Sequence, residues 1–241
     1  MLLNVLGSSG AFPTSESPCS GYLVEHEGFR ILLDAGYATF PALLRHTAAE
    51  SIDAVLITHG HPDHCADLNP LLRARALGGN DPARLPLYSP PRALDAVLAL
   101  DRPGMLDDAY DKHEFTPGES FVIGPFAVDT RLLPHWLPNA GFRLTAGGTT
   151  LVYTGDTGPS PHLIELARDA DILIAEATWP EHVPAEAAEV LSSAAQAGAT
   201  AASANVGQLI LTHLHPGVGA TESVAAARRA YSGPIAVATE R

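Results

Sequence analysis

The sequence predicts a layered α/β fold with helices on its outer faces. Three observations predict it. Short β-branched and aliphatic runs alternate with helical stretches along the chain, and each half opens on strands that read as hairpins. The 241 residues, 46% of them hydrophobic, suit one large domain or two small halves sharing a core. The histidines and aspartates that stand out fall where strand-like runs end, and a rigid strand aims the loop that follows it. A single domain over 1–241 is expected, with two similar halves at roughly 1–120 and 121–241.

"LLNVLG" reads as a strand that ends in the loop "SSGAFPTSESPCSG". "YLVEHEG" and "RILLDAG" follow as strands, with a turn at Glu27 and Gly28. "TFPALLRHTAAE" is expected to be helical, "DAVLIT" to be a buried strand, and "ADLNPLLRARAL" a helix. "PLYS" is then a strand and "PRALDAVLALD" a helix. In the second half "FVIG", "FAVDTRLLPH", "GFRLTA" and "TTLVYTGD" are strands, with Gly147 and Gly148 suited to a hairpin turn. "SPHLIELARDA" is a helix with Ser160 as its cap and Pro161 at its first position. "DILIAEAT" is a strand, and "PAEAAEVLSSAAQAGATAASANV" a helical stretch broken near Gly198. "GQLILTH", "TESVAAARRAY" and "PIAVA" close the chain as strand, helix and strand.

The formal net charge is -13, with no run of Lys or Arg to override it, so a long nucleic acid is disfavoured as a partner. A small-molecule substrate is the expectation. Two cysteines make no disulfide framework, and the start carries no basic region or apolar run of signal-peptide length. No apolar stretch reaches membrane-spanning length. A soluble cytoplasmic protein is therefore expected, with no membrane partner.

The chemistry concentrates in "THGHPDHCADL". His59, His61, Asp63 and His64 follow a strand directly, and imidazole nitrogen with carboxylate oxygen is what a cation such as zinc takes. Four such side chains exceed the usual three protein ligands of one catalytic metal, which hints at two ions. The bland alternative is a solvated polar loop. His135, Asp156 and His213 each end a later strand, weak signals singly and strong together.

With "THGHPDH", His135, "YTGDTG" and "LTHLHP" in this order, the sequence resembles the metallo-β-lactamase superfamily of metallohydrolases. "LLDAG" with Asp34 extends the resemblance over nearly the whole chain. "LGSSGAFPT", "TGDTG", "EAT" with Glu176 and "LTHLHPG" make it most similar to the tRNase Z-related phosphodiesterase branch. The resemblance implies a four-layer αββα sandwich of two mixed sheets. It implies two divalent metal ions, zinc first, though nitrogen and oxygen ligands also tolerate Mn²⁺ or Fe²⁺. His59, His61 and His135 would hold one ion, Asp63, His64 and His213 the other, and Asp156 would bridge them. Attack by a metal-bridging hydroxide on a small phosphodiester, such as a cyclic nucleotide, would follow, with Asp63 orienting the nucleophile. Asp34 and Glu176 would support the ligands from behind. A homodimer is common in such families.

Two departures from the branch narrow the substrate. tRNase Z inserts a tRNA-gripping arm between the third-histidine element and "GDT"; here only one short hairpin lies there. The branch also places a histidine before an "L-S/T" pair, where this chain has Val190. General-acid help is worth roughly 10²–10⁴-fold, and valine cannot supply it. Either His215 or His182 protonates the leaving group, or the leaving group is a better one, or the main reaction is different. A lactone, lactam or thioester hydrolase is thus the second expectation, and a non-catalytic metal-binding regulatory module the third. Cys65 reads as a small buried thiol rather than a ligand. Trp136 and Trp179 border the site segments as walls or as core, and the loop Ser8–Ser20 is expected at the site mouth.

Overall fold

A computed structural model describes residues 1–80 and 82–239. The first half builds β1 (Leu2–Gly7), β2 (Gly21–His26), β3 (Phe29–Leu33), α1 (Thr39–Leu43), β4 (Ala54–Leu56), α2 (Pro62–Cys65), α3 (Leu68–Leu77), β5 (Leu85–Ser89), α4 (Asp95–Leu98) and β6 (Tyr110–Glu114). The second builds β7 (Ser120–Ile123), β8 (Phe126–Leu133), β9 (Asn139–Ala146), β10 (Thr149–Tyr153), α5 (Pro161–Ala167), β11 (Ile172–Glu176), α6 (Ala194–Ser203), β12 (Gln208–Thr212), α7 (Ala220–Arg228) and β13 (Ile235–Val237).

The strands form two mixed sheets, ordered β1 to β6 and β13 to β7. In the first, β1, β2 and β3 pair antiparallel and β3 to β6 parallel. In the second, β7 to β10 are antiparallel and β10 to β13 parallel. Both sheets are covered on two faces, which the strand alternation reads out directly. Tyr22, Val24, Ile31, Leu33, Ala54 and Leu56 point into the seam between the sheets, against Phe126, Phe142, Leu144, Leu151 and Tyr153. Their neighbours Leu23, Leu32, Val55 and Ile57 point the other way, onto Leu43, Leu68, Leu71 and Leu72 of α1 and α3. Val152, Leu173, Leu209 and Leu211 face α5, α6 and α7. Helix, sheet, sheet, helix: this is the four-layer αββα sandwich that the family resemblance implies. No helix of the described residues is long and apolar enough to cross a membrane.

Local differences from the sequence reading have physical causes. The stretch 39–50 is helical only to Leu43; it then tightens through Arg45 N–H to Ala42 C=O and His46 N–H to Leu43 C=O bonds, and a short 3₁₀ turn follows at Ala49–Ser51. The expected helix in "PRALDAVLALD" shrinks to one turn. Strand β6, "YDKHE", escapes sequence reading because it is polar and lies at a sheet edge, with Lys112 held by Asp95 and Glu114. The Ala-rich stretch is helical only over Ala194–Ser203, with turns before it, so Gly198 is no break. Ser193 Oγ accepts the Gln196 N–H (3.2 Å) and Gln196 Oε1 accepts the Ser193 N–H (2.8 Å), a reciprocal cap.

Gly198 lies inside α6 because α7 passes close. A Cβ there would collide with the Ala227 carbonyl oxygen and stand 2.8 Å from its Cα. Gly198→Ala raises helix propensity, yet it should lose about 1–3 kcal/mol through overpacking. Urea denaturation reads the sign: a stabilised variant would contradict the contact.

Candidate metal centre

Each candidate ligand leaves the carboxyl end of a strand. The chain after β4 carries Thr58, His59 and His61 into α2, whose first turn holds Asp63 and His64. Pro62 opens that turn, where a missing N–H costs nothing. β8 delivers His135, β10 delivers Asp156 and β12 delivers His213. Asp34 after β3 and His213 after β12 take left-handed backbone (φ 56° and 57°), uncommon for residues other than glycine.

All seven side chains converge, in two overlapping groups. His59, His61, His135 and Asp156 form one; Asp63, His64, Asp156 and His213 form the other. In each group the ligand atoms lie within 4.8 Å of one another. His59 Nε2 and His135 Nε2 stand 3.0 and 3.1 Å from His61 Nδ1. Asp156 reaches both groups: Oδ1 lies 3.2 Å from His64 Nε2, and Oδ2 lies 3.3 Å from His213 Nε2 and 3.8 Å from His135 Nε2.

Behind the ligands a second set of groups fixes tautomers. The buried Asp34 carboxylate accepts the Thr58 N–H (2.8 Å), the Thr58 hydroxyl (2.9 Å), His64 Nδ1–H (2.7 Å) and the Tyr153 hydroxyl (2.8 Å). His135 Nδ1–H donates to the Val190 carbonyl (3.0 Å). With their protons on Nδ1, His64 and His135 aim Nε2 lone pairs inward. Glu176 accepts from the Thr157 N–H (2.5 Å), the Thr178 hydroxyl (2.7 Å) and the Ser192 N–H (3.1 Å), tying the Asp156 loop to the segment after β11. Thr178 Oγ1 also lies 3.2 Å from His213 Nδ1. Asn139 Nδ2 donates to the Thr154 carbonyl (2.9 Å) under the same loop. Beneath the centre two tyrosines cross the seam. Tyr22 of the first sheet bonds Thr212 of the second, Tyr153 of the second bonds Asp34 of the first, and their rings lie 4.9 Å apart.

The residues present fit a cation. His64 Nε2 and Asp156 Oδ1 are buried and have no hydrogen-bond partner, although they lie 3.2 Å apart. Orphaned buried polar atoms are costly unless something satisfies them. Burial alone would strip the proton from His64, but the Asp156 and Asp34 carboxylates reverse this and draw its pKa well above the ordinary value. The same contest, won by Asp156 and the Asp63 hydrogen bond, raises His213. Burial lowers His59, His61 and His135 below the ordinary imidazole value, so these three stay neutral. One end of the centre thus calls for positive charge, and the other offers neutral lone pairs. Both suit divalent metal.

The other sequence candidates fall outside both groups. His215 lies against the Trp179 ring (centroids 6.1 Å, planes 18°), and its Nδ1–H donates to the Pro216 carbonyl (3.0 Å). His182 is exposed. Cys65 donates its thiol to the His61 carbonyl, and burial pushes its pKa up to about 12. The loop after β1 does reach the mouth: the Ala11 N–H donates to Asp63 Oδ2 (3.0 Å). Thr58, Thr157, Thr178, Ser192, Asn139 and Tyr153 escape sequence reading. The Thr-His pair that ends "LITH" is a signal that could have pointed to Thr58.

The model of the beta-lactamase superfamily domain matches residues 29–214, which hold all seven ligand positions. The chain belongs to the beta-lactamase superfamily. It is a metallo-hydrolase of that fold with a candidate metal centre. Within the superfamily it is 34% identical over 241 residues to the uncharacterized protein Rv1339 of Mycobacterium tuberculosis, covering 97% of this chain and 88% of that one. It is 32% identical over 226 residues to the "Probable metallo-hydrolase YhfI" of Bacillus subtilis, covering 90% and 89%. The YhfI crystal structure superposes with a TM-score of 0.89 at 28% identity, over 99% of this chain and 95% of that one. Ribonuclease Z of Mycobacterium marinum is 29% identical over 242 residues, covering 90% and 87%, which places this superfamily member close to the ribonuclease Z branch.

Proposed function

We propose that this superfamily member is a phosphodiesterase that hydrolyses a small phosphodiester, such as a cyclic nucleotide, at two divalent metal ions. The observation that carries the reading is the pair of ligand groups sharing one carboxylate, Asp156. A paired site suits a reaction whose attacking and leaving oxygens both gather charge. Bound there, zinc or a similar ion supplies Lewis acidity and draws the pKa of water toward neutrality.

The chain's own residues do the rest. His59, His61 and His135 offer ligand atoms to one side, Asp63, His64 and His213 to the other. Asp34 and the Val190 carbonyl hold the ring protons of His64 and His135 away from the centre. Asp63 stays ionised: burial opposes this, but the His213 hydrogen bond and the His64 and His213 charges hold its pKa well below the usual range. Anchored by the Ala11 N–H, it is placed to orient the attacking water. A relative named Ribonuclease Z supports phosphodiester chemistry. Two features of this chain favour a small diester over RNA. Its net charge is -13, and between His135 and Asp156 it runs only through the β9–β10 hairpin, closed at Gly147 and Gly148.

Val190 favours a second reading. Its carbonyl faces His135, its side chain has no acidic proton to give, and a thioester, whose thiolate leaves without protonation, asks less of a proton donor than a diester that expels an alkoxide. A panel of bis(p-nitrophenyl) phosphate, a cyclic nucleotide, a lactone and a thioester separates the two. The metal-loaded protein should turn over the two diesters. Turnover of the lactone or thioester alone would install the second reading, and a folded protein that retains no metal would indicate a non-catalytic module.

A further inference from the structure

Three aromatic rings from three separate loops meet at the rim of the metal centre on the Asp63 and His213 side. Phe12 lies in the loop after β1, Trp179 in the loop after β11 and His215 in the loop after β12. Trp179 and His215 are nearly parallel (18°), and Phe12 stands edge-on to His215 (89°), each pair with centroids 6.1 Å apart. Each ring is tied to the centre through its neighbour in the chain. The Ala11 N–H holds Asp63 Oδ2, Thr178 Oγ1 lies beside His213 Nδ1, and His215 is two residues past His213.

The corner is braced. The Phe12 N–H donates to the Gly10 carbonyl (2.7 Å) and the Ser9 hydroxyl to the Phe12 carbonyl (2.9 Å). The Gly10 N–H donates to the Leu214 carbonyl (3.0 Å), and the His215 N–H to the Thr178 carbonyl (3.1 Å). Gly10 also packs so closely on His213 that a Cβ there would come within 2.9 Å of Nδ1. Yet Phe12 is 50% exposed. A large apolar ring held half in water, rigidly, beside ionisable groups gains if a flat apolar face covers it. Indole, imidazole and phenyl faces suit a planar heteroaromatic ring, whose π-face stacks whatever its edge carries.

We propose that Phe12, Trp179 and His215 form a platform that takes the nucleobase of the substrate and so selects base-bearing over base-free phosphodiesters. This rests on the phosphodiesterase reading above. The rings touch no reacting atom; they set specificity by position.

The chain has two tryptophans, so Trp136→Phe leaves Trp179 as its sole indole. Titrating that metal-loaded protein with adenosine monophosphate should quench its fluorescence saturably, and adding Phe12→Ala should weaken the binding about tenfold, a typical stacking contribution. In steady-state kinetics Phe12→Ala and Trp179→Ala should raise KM for a cyclic nucleotide about tenfold, with kcat little changed. KM for a base-free cyclic phosphodiester should stay constant, and Trp179→Phe should restore the parent preference. Phe12 is half exposed, so its truncation leaves the fold intact even where Trp179→Ala does not. An unchanged preference for base-bearing over base-free diesters in Phe12→Ala would overturn the platform, as would absence of saturable quenching. If no diester of any kind is cleaved, the phosphodiesterase reading fails by itself. Quenching by adenosine monophosphate that Phe12→Ala weakens would then still establish base binding at the three rings, while its absence would overturn that too.

Discussion

Asp156→Ala is expected to give a folded protein with no detectable turnover of any substrate that the parent hydrolyses. Asp156 is the only side chain among the described residues that belongs to both ligand groups, so its loss cuts each from four members to three. Its two oxygens face different partners, Oδ1 the His64 side and Oδ2 the His213 and His135 side. The fold should persist because the carboxylate makes no bond to the backbone of another element; the Tyr153–Asp156 turn is held by Asn139, Glu176 and the β10 pairing instead. Elemental analysis should show metal lost along with turnover, and circular dichroism an unchanged fold. Parent-level turnover in Asp156→Ala would contradict the shared-ligand assignment outright.

Asp34→Ala should strike stability and metal binding together. It leaves the Thr58 N–H, the Thr58 hydroxyl, His64 Nδ1–H and the Tyr153 hydroxyl without their acceptor, all in fully buried surroundings. Breaking a buried pair of this kind costs about 3–5 kcal/mol. In a chain of this size that lowers Tm by on the order of 10 °C. Metal affinity should fall roughly 10–100-fold, as it does when a group supporting a ligand is lost. Asp34→Asn separates the two effects. The amide keeps the shape and two of the contacts, but its NH₂ must meet a donor. If it meets His64 Nδ1, the ring proton moves to Nε2 and blocks the ligand atom. Asp34→Asn should therefore recover most of the lost Tm while metal affinity stays low. Parent-like metal binding in Asp34→Asn would show that Asp34 does not set the His64 tautomer.

The candidate ligands were legible in the sequence because four imidazole and carboxylate side chains fall within six residues, straight after a strand. Asp34 was reached only through the resemblance of "LLDAG" to an element of the family. The layered fold was legible from the alternation in β2, β3 and β4. What supports Asp156 and His213 was not. Thr157, Thr178 and Ser192 are ordinary residues whose role depends on β10 lying beside β11 and on the chain after β11 folding back to Ser192, facts of register that no local pattern carries. Val190 shows the limit most clearly. As a residue type it suggests only an absent proton donor; in the structure its carbonyl fixes His135, a role the side chain does not encode.

The tyrosine pair has a mechanical consequence. Each phenol belongs to one sheet and is fastened to the other, and burial keeps both pKa values above the ordinary tyrosine range, so both remain protonated at neutral pH. The two halves are pinned to each other directly under the seven ligands. Opening them like jaws would unfasten both phenols and expose the buried Asp34, a cost that favours a closed seam. What remains free to differ between bound and unbound protein is the rim, the loops after β1, β8 and β11, above a floor that both sheets share.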